Sequence, residues 1–150
     1  MWTVRPEPLD SADAQALLRA FFLELVERYH LREVPPEEVD QAMDEDRTEG
    51  LAVFLVARWD GALAGCAGLR PPGALTRMYI APPFRRRGGG RVLLRAIEDV
   101  ARAQGMERLQ IDTRDDLVEA RALYVAEGYA EVDPFNDDEF AEHWYEKRLC

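Results

Sequence analysis

"PPFRRRGGGRVLL", Pro82 to Leu94, decides how this chain is read. Its thirteen positions hold four arginines and three consecutive glycines, in a 150-residue protein of formal net charge −10. Before it, Ala74 to Ile80 has strand character. After it, Leu93, Ile97, Val100 and Ala101 fall on one helical face that runs out near Gly105. The stretch is therefore a strand-to-helix turn. Glycines there let backbone amides approach an anion with no Cβ in the way. The helix N-terminus adds unpaired N–H groups, and arginine adds permanently charged planar donors. The combination points to phosphate recognition. The plainer alternative is a solvated basic turn whose glycines only cap the two elements, and an RNA-binding arginine–glycine tail would instead be repetitive and disordered.

The charge around the turn is segregated. From Gly61 to Ile97 there is no Asp or Glu, yet there are seven arginines: Arg70, Arg77, Arg85, Arg86, Arg87, Arg91 and Arg95. All 29 acidic residues lie outside that window. One region is prepared for an anion, and the remainder attracts cations. A pI near 4.7 argues against a general nucleic-acid binder.

Other phosphate and catalytic motifs fail on their spacing. The P-loop needs a Gly-Lys pair, and the one lysine is Lys147. In a dinucleotide fingerprint the third glycine after Gly88 and Gly90 would stand at Leu93. The one serine, Ser11, sits at a helix start, which excludes a serine-hydrolase elbow. His30 and His143 lie far apart, so no metal-ligand spacing is present and no metal is expected. Cys66 and Cys150 make no disulfide framework. No apolar run approaches the ~20 residues of a membrane span, and MWTVRPEPLD lacks a basic region followed by an apolar core, so no signal peptide is expected. A cytoplasmic, reducing location is expected, with no nucleic acid and no membrane as partner.

The remaining elements give residues 1–150 as one mixed α/β domain. A short strand at Trp2 to Arg5 precedes a helix capped by Asp10 or Ser11, with Leu17, Leu18, Phe21, Phe22, Leu25, Val26 and Tyr29 on one face. Pro35 and Pro36 break it and start a second helix through Met43. Gly50 to Arg58 and Ala62 to Leu69 form a hairpin around Asp60-Gly61. Arg108 to Thr113 is a strand, Leu117 to Glu127 a helix, and Tyr129 to Val132 and His143 to Leu149 the last strands.

The stretch "RMYIAPPFRRRGGGRVLLRAIEDVARAQG" resembles the central motif of the GNAT superfamily of acetyl-CoA-dependent N-acetyltransferases, with Arg85-x-x-Gly88-x-Gly90 matching its hexapeptide. "RLQIDTRDDLVEARALYVAEGYAEV" is similar to the family's following strand and its A-x-x-L-Y-x-x-x-G-[FY] helix, and "HWYEKRL" to its closing strand. The resemblance implies a GNAT-like fold, a mixed central sheet of about six to seven strands flanked by about four helices. It implies that acetyl-CoA is the cosubstrate, lying along Met78, Tyr79 and Ile80. Its pyrophosphate would rest on Arg85, Arg86, Arg87, Gly88, Gly89, Gly90 and Arg91. Two departures stand out. "RRRGGG" replaces something like "RGRGIG", which implies a looser loop, and the glutamate that many relatives carry early in the central strand is here Ala74.

Acetyl transfer to an amine needs a deprotonated amine, a polarised carbonyl and a proton for the departing thiolate. The resemblance assigns that last proton to Tyr124. The alternative is that Leu117, Ala120 and Tyr124 form a core stripe in which the ring anchors helix to sheet. Candidate bases are Asp112, His143 and Asp137-Asp138-Glu139, each with a plainer role as turn, strand or solvated loop, so none joins the catalytic set. The implied activity is N-acetyl transfer to a small-molecule amine or basic peptide, with a homodimer left open. The rival is an acyl-CoA-binding or sensing protein without turnover.

Overall fold

The computed structural model describes residues 1–149. Strand β1 (Trp2–Pro6) leads into helix α1 (Ala12–His30), whose start is fixed by Ser11 Oγ accepting from the Ala14 amide at 3.0 Å. This helix ends at Leu31, in the left-handed region, rather than at the prolines. Helix α2 (Pro36–Glu45) starts on Pro36, whose missing N–H is no loss in a first turn. Strands β2 (Val53–Trp59) and β3 (Ala62–Arg70) form the hairpin. Its turn residues Asp60 and Gly61 both have positive φ (48° and 86°), as a type I′ turn requires. The first of these strands begins at Val53, three residues later than the apolar run predicts.

Strand β4 (Ala74–Ile80), helix α3 (Gly89–Ala103) and strand β5 (Arg108–Thr113) follow. Helix α4 (Val118–Ala126) and strands β6 (Ala130–Val132) and β7 (His143–Arg148) complete the chain. Seven strands form one sheet in the order β1-β2-β3-β4-β5-β7-β6, with four helices packed on it. β7 inserts between β5 and β6. Every neighbouring pair is antiparallel except β4 and β5.

The sheet buries both faces. On one side Leu93, Leu94, Ile97 and Ala101 of α3 meet Leu55, Leu69, Leu109 and Ile111. On the other, Leu17 and Leu18 of α1 meet Phe54, Val56 and Cys66. Each such aliphatic side chain contributes ~1.5–3 kcal/mol by leaving water. The apolar stripe of α3 is what presses the arginine–glycine turn against the sheet.

Candidate active site

The parallel pair at the centre of the sheet touches at a single register position, Ala74 opposite Gln110. Beyond it the two strands part. The cause lies in β4. Between the pairs Gly68–Thr76 and Cys66–Tyr79, strand β3 has one residue and β4 has two, Arg77 and Met78. This is a bulge, which bends its strand and increases local twist. Arg77 carries it at φ 56°, a costly conformation for a non-glycine residue. Its buried guanidinium locks it there through Thr48 Oγ1 (2.9 Å), Asp46 Oδ1 (3.1 Å) and the face of Phe22 (5.0 Å). The Cys66 thiol, which burial keeps protonated, donates to the Arg77 carbonyl.

The bulge decides which backbone groups of β4 are available. The Ala81 amide donates to Ala64, on the β3 side. Alternation then turns the Met78 and Ile80 backbone groups toward the side that β5 has left. Arg85 reaches back from the turn, and its Nε donates to the Ile80 carbonyl at 2.8 Å. Tyr79 instead buries its ring on the α1 side.

The turn itself opens into α3. Gly88, at φ 77°, is the N-cap, and no side chain caps the helix. The amides of the first turn are therefore available to an anion, beside Arg86 and Arg87. Of the arginines in the acid-free window, four are matched by acids brought from elsewhere. Arg77 pairs with Asp46, Arg85 with Glu24 of α1 at 2.6 Å, and Arg91 and Arg95 with Glu127 at 3.1 and 2.8 Å. Arg86 and Arg87 have no ion pair among the described residues, and Arg91 shares its carboxylate with Arg95, so Arg86 and Arg87 are the arginines of the turn left without an acid.

The turn is held rather than loose. Trp2 Nε1 donates to the Arg87 carbonyl at 2.8 Å, and the Arg87 guanidinium lies 5.1 Å from the centre of the Trp59 ring. A Cβ at Gly89 would stand 2.4 Å from the Trp2 indole, so that ring fills the space a side chain would take. A Cβ at Gly90 would come within 2.9 Å of Leu123, which shows how closely α4 lies against the first turn of α3.

The next residue of α4, Tyr124, lies within reach of the Asp112 charge on β5. The residue is buried, with its ring 6.1 Å from that of Tyr129 and 5.8 Å from that of Tyr145. Among the described residues its hydroxyl has no hydrogen-bond partner, yet no fully enclosed side-chain oxygen among them lacks one. The hydroxyl is thus where the ring keeps contact with solvent. Burial, and then the nearby Asp112 charge, push its pKa up, so the proton stays on oxygen.

Asp112 lies two residues past the last β4–β5 pair. It accepts from Asn136 Nδ2 at 2.8 Å, and the Asn136 oxygen is oriented by Trp144 Nε1 at 3.0 Å. Burial raises the Asp112 pKa, the Asn136 hydrogen bond opposes this, and Asp138 and Asp46 add to it. Asn136 and Asp46 have no local signature; they reach Asp112 across 24 and 66 positions of chain. His143 is engaged elsewhere, its two ring nitrogens lying 2.8 Å from Glu131 and 2.9 Å from Asp115.

The chemistry of these groups fits a coenzyme A thioester: a strand edge for an amide-bearing arm, amides and arginines for a pyrophosphate, and a phenol and a carboxylate where strands part. The family model described as "Acetyltransferase (GNAT) family" matches residues 18–129. An "IAA acetyltransferase" of Azospirillum brasilense is 33% identical over 137 residues, 87% of this chain and 85% of that protein. An "Aminoglycoside N(6')-acetyltransferase type 1" of Stenotrophomonas maltophilia is 33% identical over 66% of this chain and 71% of that protein. Among solved structures, PaiA N-acetyltransferase from Thermoplasma acidophilum in complex with coenzyme A superposes with a TM-score of 0.73. It is 16% identical, covers 99% of both chains, and so speaks to the fold alone. Among the described residues no helix is long and apolar enough to cross a membrane.

Proposed function

The chain belongs to the acetyltransferase (GNAT) family, and from that premise we propose that residues 1–150 act as one domain that acetylates a primary amine by direct attack. Acetyl-CoA would supply the thioester carbonyl: the amine nitrogen bonds to its carbon, the carbon–sulfur bond breaks, and coenzyme A leaves as the thiol. The observation that carries this reading is the parting of β4 and β5 beside an uncapped helix N-terminus, with Asp112 just past the last pair and Tyr124 within reach of its charge.

The residues divide the work. The Met78 backbone and the Ile80 amide offer hydrogen bonds to the pantetheine arm, the Ile80 carbonyl being held by Arg85, and the Met78 amide polarises the acetyl carbonyl. The amides of Gly88 to Arg91, with the Arg86 and Arg87 side chains, hold the pyrophosphate. Arg85 and Arg91, already tied to Glu24 and Glu127, shape the turn more than they neutralise the ligand. Tyr124 gives its hydroxyl proton to the departing sulfur.

Ala74 cannot take the proton of the attacking amine. Asp112 is the carboxylate best placed to do so, because Asn136 leaves its second oxygen free and burial makes it more basic than an exposed aspartate. Asp138 nearby, together with the Asp112 carboxylate itself, favours a cationic acceptor. A polyamine of the aminoglycoside kind fits that charge, as does a basic peptide.

Thiol release from acetyl-CoA with a panel of polyamines, basic peptides and anionic amines tests the reading. Turnover with cationic amines, reduced ~10²–10⁴-fold in Asp112→Asn, is expected. Coenzyme A binding with no thiol release from any amine would leave an acyl-CoA-binding protein instead.

A further inference from the structure

We infer that Trp2 is a positioning residue for the pyrophosphate-binding turn, doing from the first strand what a side chain at position 89 would otherwise do from inside the turn. The inference rests on the acetyl-CoA reading and adds to it a residue 83 positions before the nearest arginine of the turn.

Three contacts carry it. The Trp2 indole occupies the space into which a Cβ at Gly89 would point, at 2.4 and 2.5 Å from Cζ2 and Cη2. Its Nε1 donates to the Arg87 carbonyl at 2.8 Å. It also packs edge-on against Trp59 at 5.2 Å, and Trp59 in turn carries the Arg87 guanidinium on its face at 5.1 Å. A glycine-only turn has many backbone states, and fixing them upon binding would cost affinity. The indole removes that freedom beforehand. By filling the inner side and holding the carbonyl of Arg87, it sets the peptide plane that precedes Gly88. The amides of the following first turn then face outward before any ligand arrives. The strand register helps, since Trp2 pairs with Trp59 and cannot slide without unpairing β1 from β2.

The two positions are therefore coupled by volume. Gly89→Val in the native background must displace an indole. The same change in a Trp2→Ala background fills the space that the indole vacates. The expected result is a reversal of sign. Gly89→Val alone lowers the thermal midpoint and weakens coenzyme A binding, whereas added to Trp2→Ala it raises both relative to Trp2→Ala.

Trp2→Phe isolates the hydrogen bond while keeping most of the packing. Coenzyme A affinity by calorimetry should fall roughly three- to tenfold, the scale of one neutral hydrogen bond. KM for acetyl-CoA should rise with it, while kcat at saturation changes less than KM. A purely structural role would lower the thermal midpoint with no such split. Equal effects of Gly89→Val in both backgrounds, or unchanged coenzyme A affinity in Trp2→Phe, would overturn the inference. Native protein that binds no coenzyme A would overturn the acetyl-CoA reading itself, so the two failures are distinct.

Discussion

Tyr124 and Tyr129 lie at either end of one turn, both buried, with rings 6.1 Å apart, and their hydroxyls meet opposite circumstances. Tyr129 Oη donates to Glu98 at 2.7 Å, and Lys147 Nζ donates to the same carboxylate oxygen at 3.0 Å. Tyr124 Oη has no hydrogen-bond partner among the described residues and lies within reach of the Asp112 charge. The arginines divide in the same way: Arg91 and Arg95 share Glu127, while Arg86 and Arg87 have no acid among the described residues. A buried polar group with partners holds the fold together, because losing one partner leaves the other unpaired. A group without partners in a folded protein is available to a ligand.

The contrast is sharpest at the two tyrosines. Tyr124→Phe keeps the ring and removes only the donor. We expect kcat to drop ~10²–10⁴-fold under conditions where chemistry limits the rate, with coenzyme A affinity and thermal midpoint little changed. A variant that loses stability but turns over normally would make Tyr124 a core anchor like its neighbour. Tyr129→Phe should do the reverse. Removing its hydroxyl takes a hydrogen bond from the buried Glu98, at a cost of ~1–3 kcal/mol in denaturant unfolding, with kcat held near the native value.

The arginine contrast is expected to be smaller. Arg86→Ala with Arg87→Ala should weaken coenzyme A binding about tenfold or more, the scale of a lost charge-assisted hydrogen bond. Arg95→Ala should leave affinity in place and lower the thermal midpoint. Native affinity should also fall with salt, as the screening length shortens from ~10 Å at 0.1 M to ~3 Å at 1 M. Affinity indifferent to salt and to Arg86 and Arg87 would remove the phosphate role.

Asp112 offers a test in which function and stability move oppositely. Its pKa is raised, so the folded state favours the protonated form and its ionised form costs stability at neutral pH. Asp112→Asn should therefore raise the thermal midpoint at pH ~7 while lowering kcat, and the gain should vanish as pH falls through the folded pKa toward ~3.9. The smallest effect is expected at His143, whose pKa is raised by Glu131 first and then Asp115, against burial and Arg121. Its contribution is full below the unfolded value of ~6.5 and is lost as pH rises through the folded one. His143→Gln should flatten that part of a thermal midpoint against pH profile.

The strands and helices near the turn were legible because their signals are local. Ala74–Ile80 and Arg108–Thr113 were read to the residue, and Asp60-Gly61 carried its own turn chemistry. The end of α1 has no such local signal, since Leu31 takes the left-handed region with no glycine to announce it. The looser loop expected of three glycines is absent because Trp2, far off in sequence, takes the room.

What the sequence by itself determined is the order of elements, the glycine–arginine turn at the centre and the motif around Tyr124. Hydrophobic period, turn residues and motif spacing are properties of neighbouring positions. What only the tertiary structure decided is which charges remain free. The window from Gly61 to Ile97 holds no acid, yet Glu24, Asp46 and Glu127 reach it from elsewhere in the chain and pair with four of its arginines, Arg91 and Arg95 sharing one carboxylate. Packing likewise raised Asp112, left Tyr124 without a partner and parted β4 from β5 through the Arg77 bulge. Pairing and desolvation depend on distances in space, and residues that meet there lie up to tens of positions apart along the chain.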